Sequence, residues 1–202
     1  FEIDIVVGFL KEKYEYLIDK YNVNLIYNPD YALKNNLHSL KLVADRISNT
    51  YILPCDIWAK RNPFSNEELY SWYSVSNIVD DDSTVRINRQ RELVSISEGR
   101  GGNAMIGISY LLEEEARILR NKINQFSQEK KHKDSFWEEA LFNEEKMNIY
   151  ARVYDVDEVV EINTYEQLRD LDNNSSNLNT SIISLISEQM EIHQNDIKDI
   201  AV

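Results

Sequence analysis

Blocks of apolar and polar positions succeed one another along this chain at two different periods. Ile3 to Val7 is a nearly continuous apolar run, which predicts a strand buried in a parallel sheet. From Lys11 to Tyr21, charges interleave with Tyr14, Leu17, Ile18 and Tyr21 at helical spacing. Asn24 to Tyr27 is a second short strand, and the β-α-β order predicts a parallel pair joined by a right-handed crossover. After a polar stretch, Leu40, Val43, Ala44 and Ile47 share one face of a helix expected from about Leu37 to Ile47. Thr50 to Leu53 returns to strand. Pro54, Cys55 and Asp56 leave it, and Trp58 to Pro63 reads as a loop.

The same reading continues with one helical turn at Asn66 to Leu69 and an alternating strand from Ser71 to Val79. Val85 to Asn88 and Leu93 to Ser97 form a hairpin across Arg89 to Arg91, and Gly99, Gly101 and Gly102 mark a turn. Met105 to Leu111 resumes the sheet, and Glu113 to Phe126 is an amphipathic helix with acids in its first turn. A charged loop spans Ser127 to Lys133, with Asp134 expected to cap a helix through Leu141. Strands follow at Ile149 to Val156 and Val159 to Ile162. Thr164 caps a helix from Tyr165 to Leu171, with Glu166 and Gln167 placed in its first turn. The expected class is α/β, a mixed, mostly parallel sheet flanked by helices. It occupies residues 1–171 as one domain, then a polar linker at 172–180. Beyond that, Ile182, Ile183, Leu185, Ile186, Met190 and Ile192 make an amphipathic helix within 181–202, and no internal repeat is visible.

Bulk properties narrow the function. With 202 residues and 43% hydrophobic content the chain can bury a core and is not disordered. A net charge of −13 argues against sequence-independent binding to nucleic acid or to an anionic membrane. No apolar run has the length of a membrane span and no signal peptide is visible in the sequence, so a cytoplasmic protein is expected. The one cysteine, Cys55, has no disulfide partner and reads as a buried filler. The chain opens without Met, directly in a strand, and stops at Ile200 to Val202, so a fragment of something longer is expected.

Two places can carry chemistry. Asp56 stands where a strand ends, and ligands of open α/β sheets lie outside the carboxyl ends of the strands. Mg²⁺ takes oxygen ligands, usually one or two carboxylates completed by other oxygens and water, so an acid there has the chemistry of a cation ligand. The plain alternative is a turn-forming Asp. Asn28, Tyr31, Asn35, Asn36 and Ser39 form a polar loop and helix start, where amides can read a base or hold a phosphate. Their plain alternative is an Asx-rich loop with a helix cap. His38 reads as an exposed neighbour. Among the aromatics, Trp58, Trp72, Tyr73, Tyr110 and Trp137 offer ring faces on which a cation can rest.

The order Asn28, Tyr31, Asn35, Asn36, Ser39, Leu40, followed by an apolar strand running to Asp56, resembles the bacterial CTP:phosphocholine cytidylyltransferases of the sugar-nucleotidyltransferase superfamily. The resemblance spans roughly Ile3 to Leu171. It implies a Rossmann-like nucleotidyltransferase fold, N-terminally truncated, because the family's Gly-rich phosphate-cradling loop would precede Phe1. It implies Mg²⁺ on Asp56 and a second metal carboxylate near Glu161 to Thr164, where Asn163 stands in the acid's place and Glu161 is the substitute. It also implies a substrate pocket at the aromatic-Trp-acid run Phe136, Trp137, Glu138; otherwise Glu138 and Glu139 are a solvated helix face. The partners implied are a nucleoside triphosphate and a small phosphorylated substrate. The family's Trp near Asp80, Asp81 and Asp82 is absent, and these acids suit a primary amine or a solvated turn. Residues 181–202 resemble the start of a choline/ethanolamine kinase domain. The expected activity is cytidylyl transfer from CTP to phosphocholine or a related amino alcohol. A sugar phosphate or aminoethylphosphonate acceptor, or an inactive fragment serving as an interaction module, remain open.

Overall fold

The computed structural model describes residues 2–97, 99–142 and 147–171, so the linker expected at 172–180 and the kinase-like start at 181–202 lie outside the described residues. The chain divides into two compact units, one made of Phe1–Leu53 with Phe64–Val156 and the other of Pro54–Pro63 with Asp157–Val202. Among the described residues no helix is long and apolar enough to cross a membrane.

The first unit is mixed α/β, as the apolar periods predict. Strands β1 (Asp4–Val7) and β2 (Asn24–Tyr27) pair in parallel, Asp4 opposite Asn24 and Val7 opposite Tyr27. Between them the expected single helix is broken into a 3₁₀ turn at Lys11–Tyr14 and helix α1 (Tyr16–Tyr21). Neither piece buries a residue, so no packing gain offsets the cost of nucleating a longer helix. The next helix is also shorter than its apolar face suggests. Helix α2 (Asn36–Lys41) ends at Leu42, where i→i−3 bonds tighten the backbone, and a 3₁₀ turn at Ala44–Arg46 carries the rest of the apolar stripe inward.

A four-stranded sheet forms the centre of this unit. It contains β3 (Thr50–Ile52), β5 (Trp72–Asp80), β8 (Gly102–Leu111) and β9 (Tyr150–Tyr154) in the order β3-β8-β5-β9. The pairs β3–β8 and β8–β5 are antiparallel, and β5–β9 is parallel. A hairpin of β6 (Val85–Ile87) and β7 (Leu93–Ser95) stands as predicted, turned by the Asn88 side chain accepting from the Gln90 and Glu92 N–H groups. Helix α3 (Glu113–Phe126) buries Ala116, Leu119, Ile123 and Phe126 at i, i+3, i+7, i+10. With the short helix α4 (Trp137–Leu141) it covers one sheet face, where Tyr73, Val75, Leu111 and Ile149 complete the core.

Three local expectations are corrected. Asn66 to Leu69 is not a helical turn but irregular chain, because side chains hold it elsewhere: Tyr51 Oη accepts from the Ser65 N–H and donates to Glu68 Oε1. Asp134 does not cap α4. The helix begins at Trp137, and the Glu139 carboxylate reaches back to the Phe136 N–H at 3.1 Å. Cys55 is exposed rather than buried, since it lies in the turn by which the chain leaves β3.

In the second unit, part of the expected loop after Asp56 is strand. Here β4 (Ile57–Ala59) pairs antiparallel with β10 (Val159–Glu161), and Trp58 lies opposite Val160. Helix α5 (Tyr165–Leu171) has the predicted cap. Thr164 Oγ1 accepts from the Gln167 N–H, and the Gln167 side chain accepts from the Asn163 and Thr164 N–H groups at 2.6 and 2.9 Å.

Candidate functional site

In the second unit, strand pairing sets the backbone of Asp56 beside that of Glu161 to Asn163. Asp56 occupies the turn before β4, Ile57 lies opposite Glu161, and the Asp56 carbonyl accepts from the Ile162 N–H at 2.8 Å. Asp56 and the stretch Glu161 to Asn163 are therefore neighbours, although far apart in the chain. The Asp56 Oδ1 is buried and has no hydrogen-bond partner among the described residues. A carboxylate oxygen withdrawn from water and left without a donor is costly, so it marks a place where a cation fits. Glu161 and Asn163 are both exposed; Glu161 ends β10 and Asn163 lies two residues beyond it, before α5. No group of three or more His, Cys, Asp or Glu side chains suited to a metal exists among the described residues. One or two protein oxygens completed by phosphate and water is nevertheless the usual way Mg²⁺ is held.

In the first unit, the acid of the Phe136, Trp137, Glu138 run lies inward. Glu138 is partly buried rather than a solvated face; its Oε1 accepts from Tyr73 Oη at 3.1 Å, and its Oε2 is sealed from solvent with no partner among the described residues. Burial pushes the Glu138 carboxyl up to about 7, against the lowering effect of the backbone and Tyr73 hydrogen bonds. The Tyr73 hydroxyl is in turn raised well above its ordinary value, by burial and then by the Glu138 charge. Trp137 is 4% exposed, and its ring centroid lies 6.0 Å from that of Tyr73. Glu139 differs from its neighbour. It is exposed and accepts from Ser135 Oγ at 2.7 Å.

A carboxyl raised this way costs stability. Its folded value lies above its unfolded one, so stability is full below about pH 4.5 and falls as pH rises towards 7. Glu138→Gln is therefore expected to gain about 2 kcal/mol at pH 8 and nothing at pH 4, less than the full shift because the residue is only partly buried. Urea titrations at the two pH values check this; an equal effect at both would remove the assignment.

Of the five aromatics, the four that lie in the first unit do not form one box. Tyr110 lies opposite both Tyr51 and Trp72 across the sheet, on the face away from Tyr73 and Trp137. The Trp72 ring is already covered by the Arg152 guanidinium at 3.7 Å, and Trp58 belongs to the second unit. Of the substrate pocket read from the sequence, Trp137 and Glu138 meet, with Tyr73 added. Tyr110 is separate from them. Burial raises the Tyr110 hydroxyl, and Glu68 adds to the effect.

The polar loop is largely occupied with itself. Asn28 is 1% exposed, donates to Ser39 Oγ at 3.0 Å and accepts from the Asp30 N–H at 2.9 Å. Asn35 Oδ1 caps α2 through the Asn36 N–H, while its amide donates to the Asp134 carbonyl. Asn36 Oδ1 accepts from the Trp137 N–H at 2.9 Å. Tyr31 is exposed, its ring lying on Gly8 so closely that a Cβ there would come within 2.5 Å. His38 is not an exposed neighbour; its side chain is 17% exposed and Nε2 lies 3.2 Å from Asp30 Oδ2. Burial lowers its pKa, helped by Lys34 and Lys41 and opposed by Asp30. Asp80 to Asp82 form a turn, with Asp80 Oδ1 accepting from the Asp82 N–H.

Sequence reasoning missed one cluster. The side chain of Glu68 is 5% exposed and meets Arg152 through both guanidinium nitrogens, at 3.2 and 3.0 Å, and Tyr51 at 2.6 Å. These residues come from β3, an irregular segment and β9, so no sequence spacing signals them.

No protein-family model matches the chain. The choline-phosphate cytidylyltransferase of Streptococcus pneumoniae is 27% identical over 177 residues, covering 85% of this chain and 76% of that protein. A 2-aminoethylphosphonate cytidylyltransferase of Lancefieldella rimae is 25% identical over 181 residues, covering 84% of this chain and 72% of that protein. The solved structure of the CTP:phosphocholine cytidylyltransferase from Streptococcus pneumoniae superposes with a TM-score of 0.74 at 26% identity, over 85% of this chain and 77% of that one.

Proposed function

We propose that this chain, a homologue of the bacterial choline-phosphate cytidylyltransferases with their nucleotidyltransferase fold, transfers a cytidylyl group from CTP to a small phosphorylated amino alcohol. The observation that carries the reading is the fold match at a TM-score of 0.74, joined to a buried, unpartnered carboxylate oxygen on Asp56. A phosphate oxygen of the acceptor attacks the α-phosphorus of CTP, the bond to the β-phosphate oxygen breaks, and pyrophosphate leaves. Little covalent chemistry falls to the protein, so its work is positioning and charge neutralisation. When bound, Mg²⁺ would supply positive charge to the triphosphate and the leaving pyrophosphate. Asp56 would hold that ion, with Asn163 and Glu161 as the neighbouring oxygens. CTP is a cytoplasmic metabolite, which suits a cytoplasmic enzyme.

Glu138, Tyr73 and Trp137 would receive the amino end of the acceptor. A cation there favours the ionised carboxylate, so binding would draw the Glu138 proton off. A second acceptor has its own support. The Trp72 face is occupied by Arg152, and the sealed Oε2 of Glu138 suits an N–H donor, which a primary amine has and choline lacks. A 2-aminoethylphosphonate acceptor is therefore the alternative, and one relative bears that substrate in its name.

Pyrophosphate release with Mg²⁺, CTP and either phosphocholine or 2-aminoethylphosphonate tests both. Release with CTP and not with ATP or UTP supports the reading, and the better acceptor decides between the amines. Release with glucose 1-phosphate alone would overturn the amino-alcohol assignment.

A further inference from the structure

We infer that Asn36 is a positioning residue, whose side-chain carbonyl holds the start of α4 and thereby sets the Glu138 carboxyl against Tyr73. A helix of five residues cannot secure itself. Its first N–H groups and last carbonyls have no partner within the helix, and it is too short to be stable without tertiary contacts. Here each end is tied from outside. At the start, Asn36 Oδ1 accepts from the Trp137 N–H at 2.9 Å, while the segment just before it is fastened by Asn35, whose backbone N–H donates to the Lys133 carbonyl and whose amide donates to the Asp134 carbonyl. At the far end, Ser95 Oγ of β7 donates to the Phe142 carbonyl. Between these ties Glu138 is the one α4 carboxylate that faces inward, meeting Tyr73 on the central sheet.

The paired amides of the polar loop therefore act on the neighbouring helix. Asn35 caps its own helix, α2, and Asn36 supplies an acceptor to the next one, α4. Both amides are adjacent in sequence because α2 begins where α4 needs a donor satisfied. The kinetic consequence of this inference rests on Glu138 contacting the acceptor; the structural consequence does not.

Asn36→Asp keeps the carbonyl-type acceptor and loses the amide N–H₂, whereas Asn36→Ala loses both. Carboxyl-carbon NMR of the full chain labelled at Glu, with Glu138 assigned by Glu138→Gln, follows the Glu138 titration without requiring activity. In Asn36→Ala the titration is expected to fall by one pH unit or more, roughly a tenfold change in proton affinity, as α4 loosens and Glu138 meets water. Asn36→Asp should stay close to the parent. In parallel, the acceptor KM should rise about tenfold in Asn36→Ala, the equivalent of one lost hydrogen bond, with the CTP KM unchanged and Asn36→Asp restoring it. An unmoved titration in Asn36→Ala would overturn the inference. So would an Asn36→Asp acceptor KM as poor as that of Asn36→Ala, since the amide would then be touching the ligand itself. If Asn36→Ala does not fold, Asn36→Ser, whose hydroxyl stops one bond short, reads the same shift. If the parent shows no cytidylyl transfer, the titration alone decides, so failure of the activity and of the positioning role are told apart.

Discussion

Asp56→Ala is expected to lower kcat/KM for pyrophosphate release by roughly 10²–10³, about 3–4 kcal/mol of transition-state stabilisation. The residue contributes nothing visible to the fold through its side chain: its Oδ1 has no partner among the described residues, and its backbone carbonyl, which binds the Ile162 N–H, survives the substitution. The thermal midpoint should therefore stay level or rise, because a desolvated oxygen without a donor is removed. The apparent Mg²⁺ requirement should rise in the same variant. Titrating Mg²⁺ against activity, beside a melt, separates the outcomes. Full activity would end the metal assignment, and lost activity with a collapsed melt would make Asp56 a structural residue.

Glu68→Ala is expected to cost about 3 kcal/mol of stability, the low end of the range for removing one partner of a buried pair, because the Arg152 side chain stays 27% exposed. That corresponds to a fall of roughly 10 °C in Tm for a chain of this size. The carboxylate is where three elements meet. It receives both Arg152 nitrogens and the Tyr51 hydroxyl, and Arg152 in turn lies over the Trp72 ring. Burial pushes the Glu68 carboxyl up, but the hydrogen bonds from Tyr51 and Arg152 outweigh it and the net is a lowered pKa. The Tyr51 hydroxyl is pushed up to about 12, by burial first and then by its bond to Glu68. With a folded pKa below the unfolded one, Glu68 contributes stability that is present above about pH 4.3 and is lost as pH falls through the folded value. Urea denaturation at pH 7 and at pH 3 should show the variant's deficit shrinking in acid. A deficit that is equal at both would mean packing, not charge, holds the segment.

Legibility in the sequence followed the range of the forces involved. Helix α3, the β6–β7 hairpin and the Thr164–Gln167 cap were readable because their determinants lie within a few residues of one another. The strands β2 and β5 were readable for the same reason, as alternation and apolar runs are local patterns. The Asn66 to Leu69 segment was misread because local propensity lost to side chains arriving from β3 and β9. Cys55 was misread because an apolar residue after a strand resembles a buried one until the direction of the turn is known.

The candidate residues divide along the same line. Asp56, Asn36, Trp137 and Glu138 were singled out from residue type and order. Their surroundings were not. Only the antiparallel pairing of β4 with β10 decided that Asp56 and Glu161 to Asn163 are neighbours. Only the sheet register decided that Tyr110 and Trp72 face away from Tyr73, and only the seating of α4 decided that Glu138 turns inward while Glu139 meets water. Sequence by itself determined most of the elements and the side chains able to do chemistry at Asp56 and Glu138, because periodicity and functional groups are written locally. The tertiary structure decided protonation, burial and partnership, because those depend on the dielectric and hydrogen-bonding groups that distant segments bring within a few ångströms.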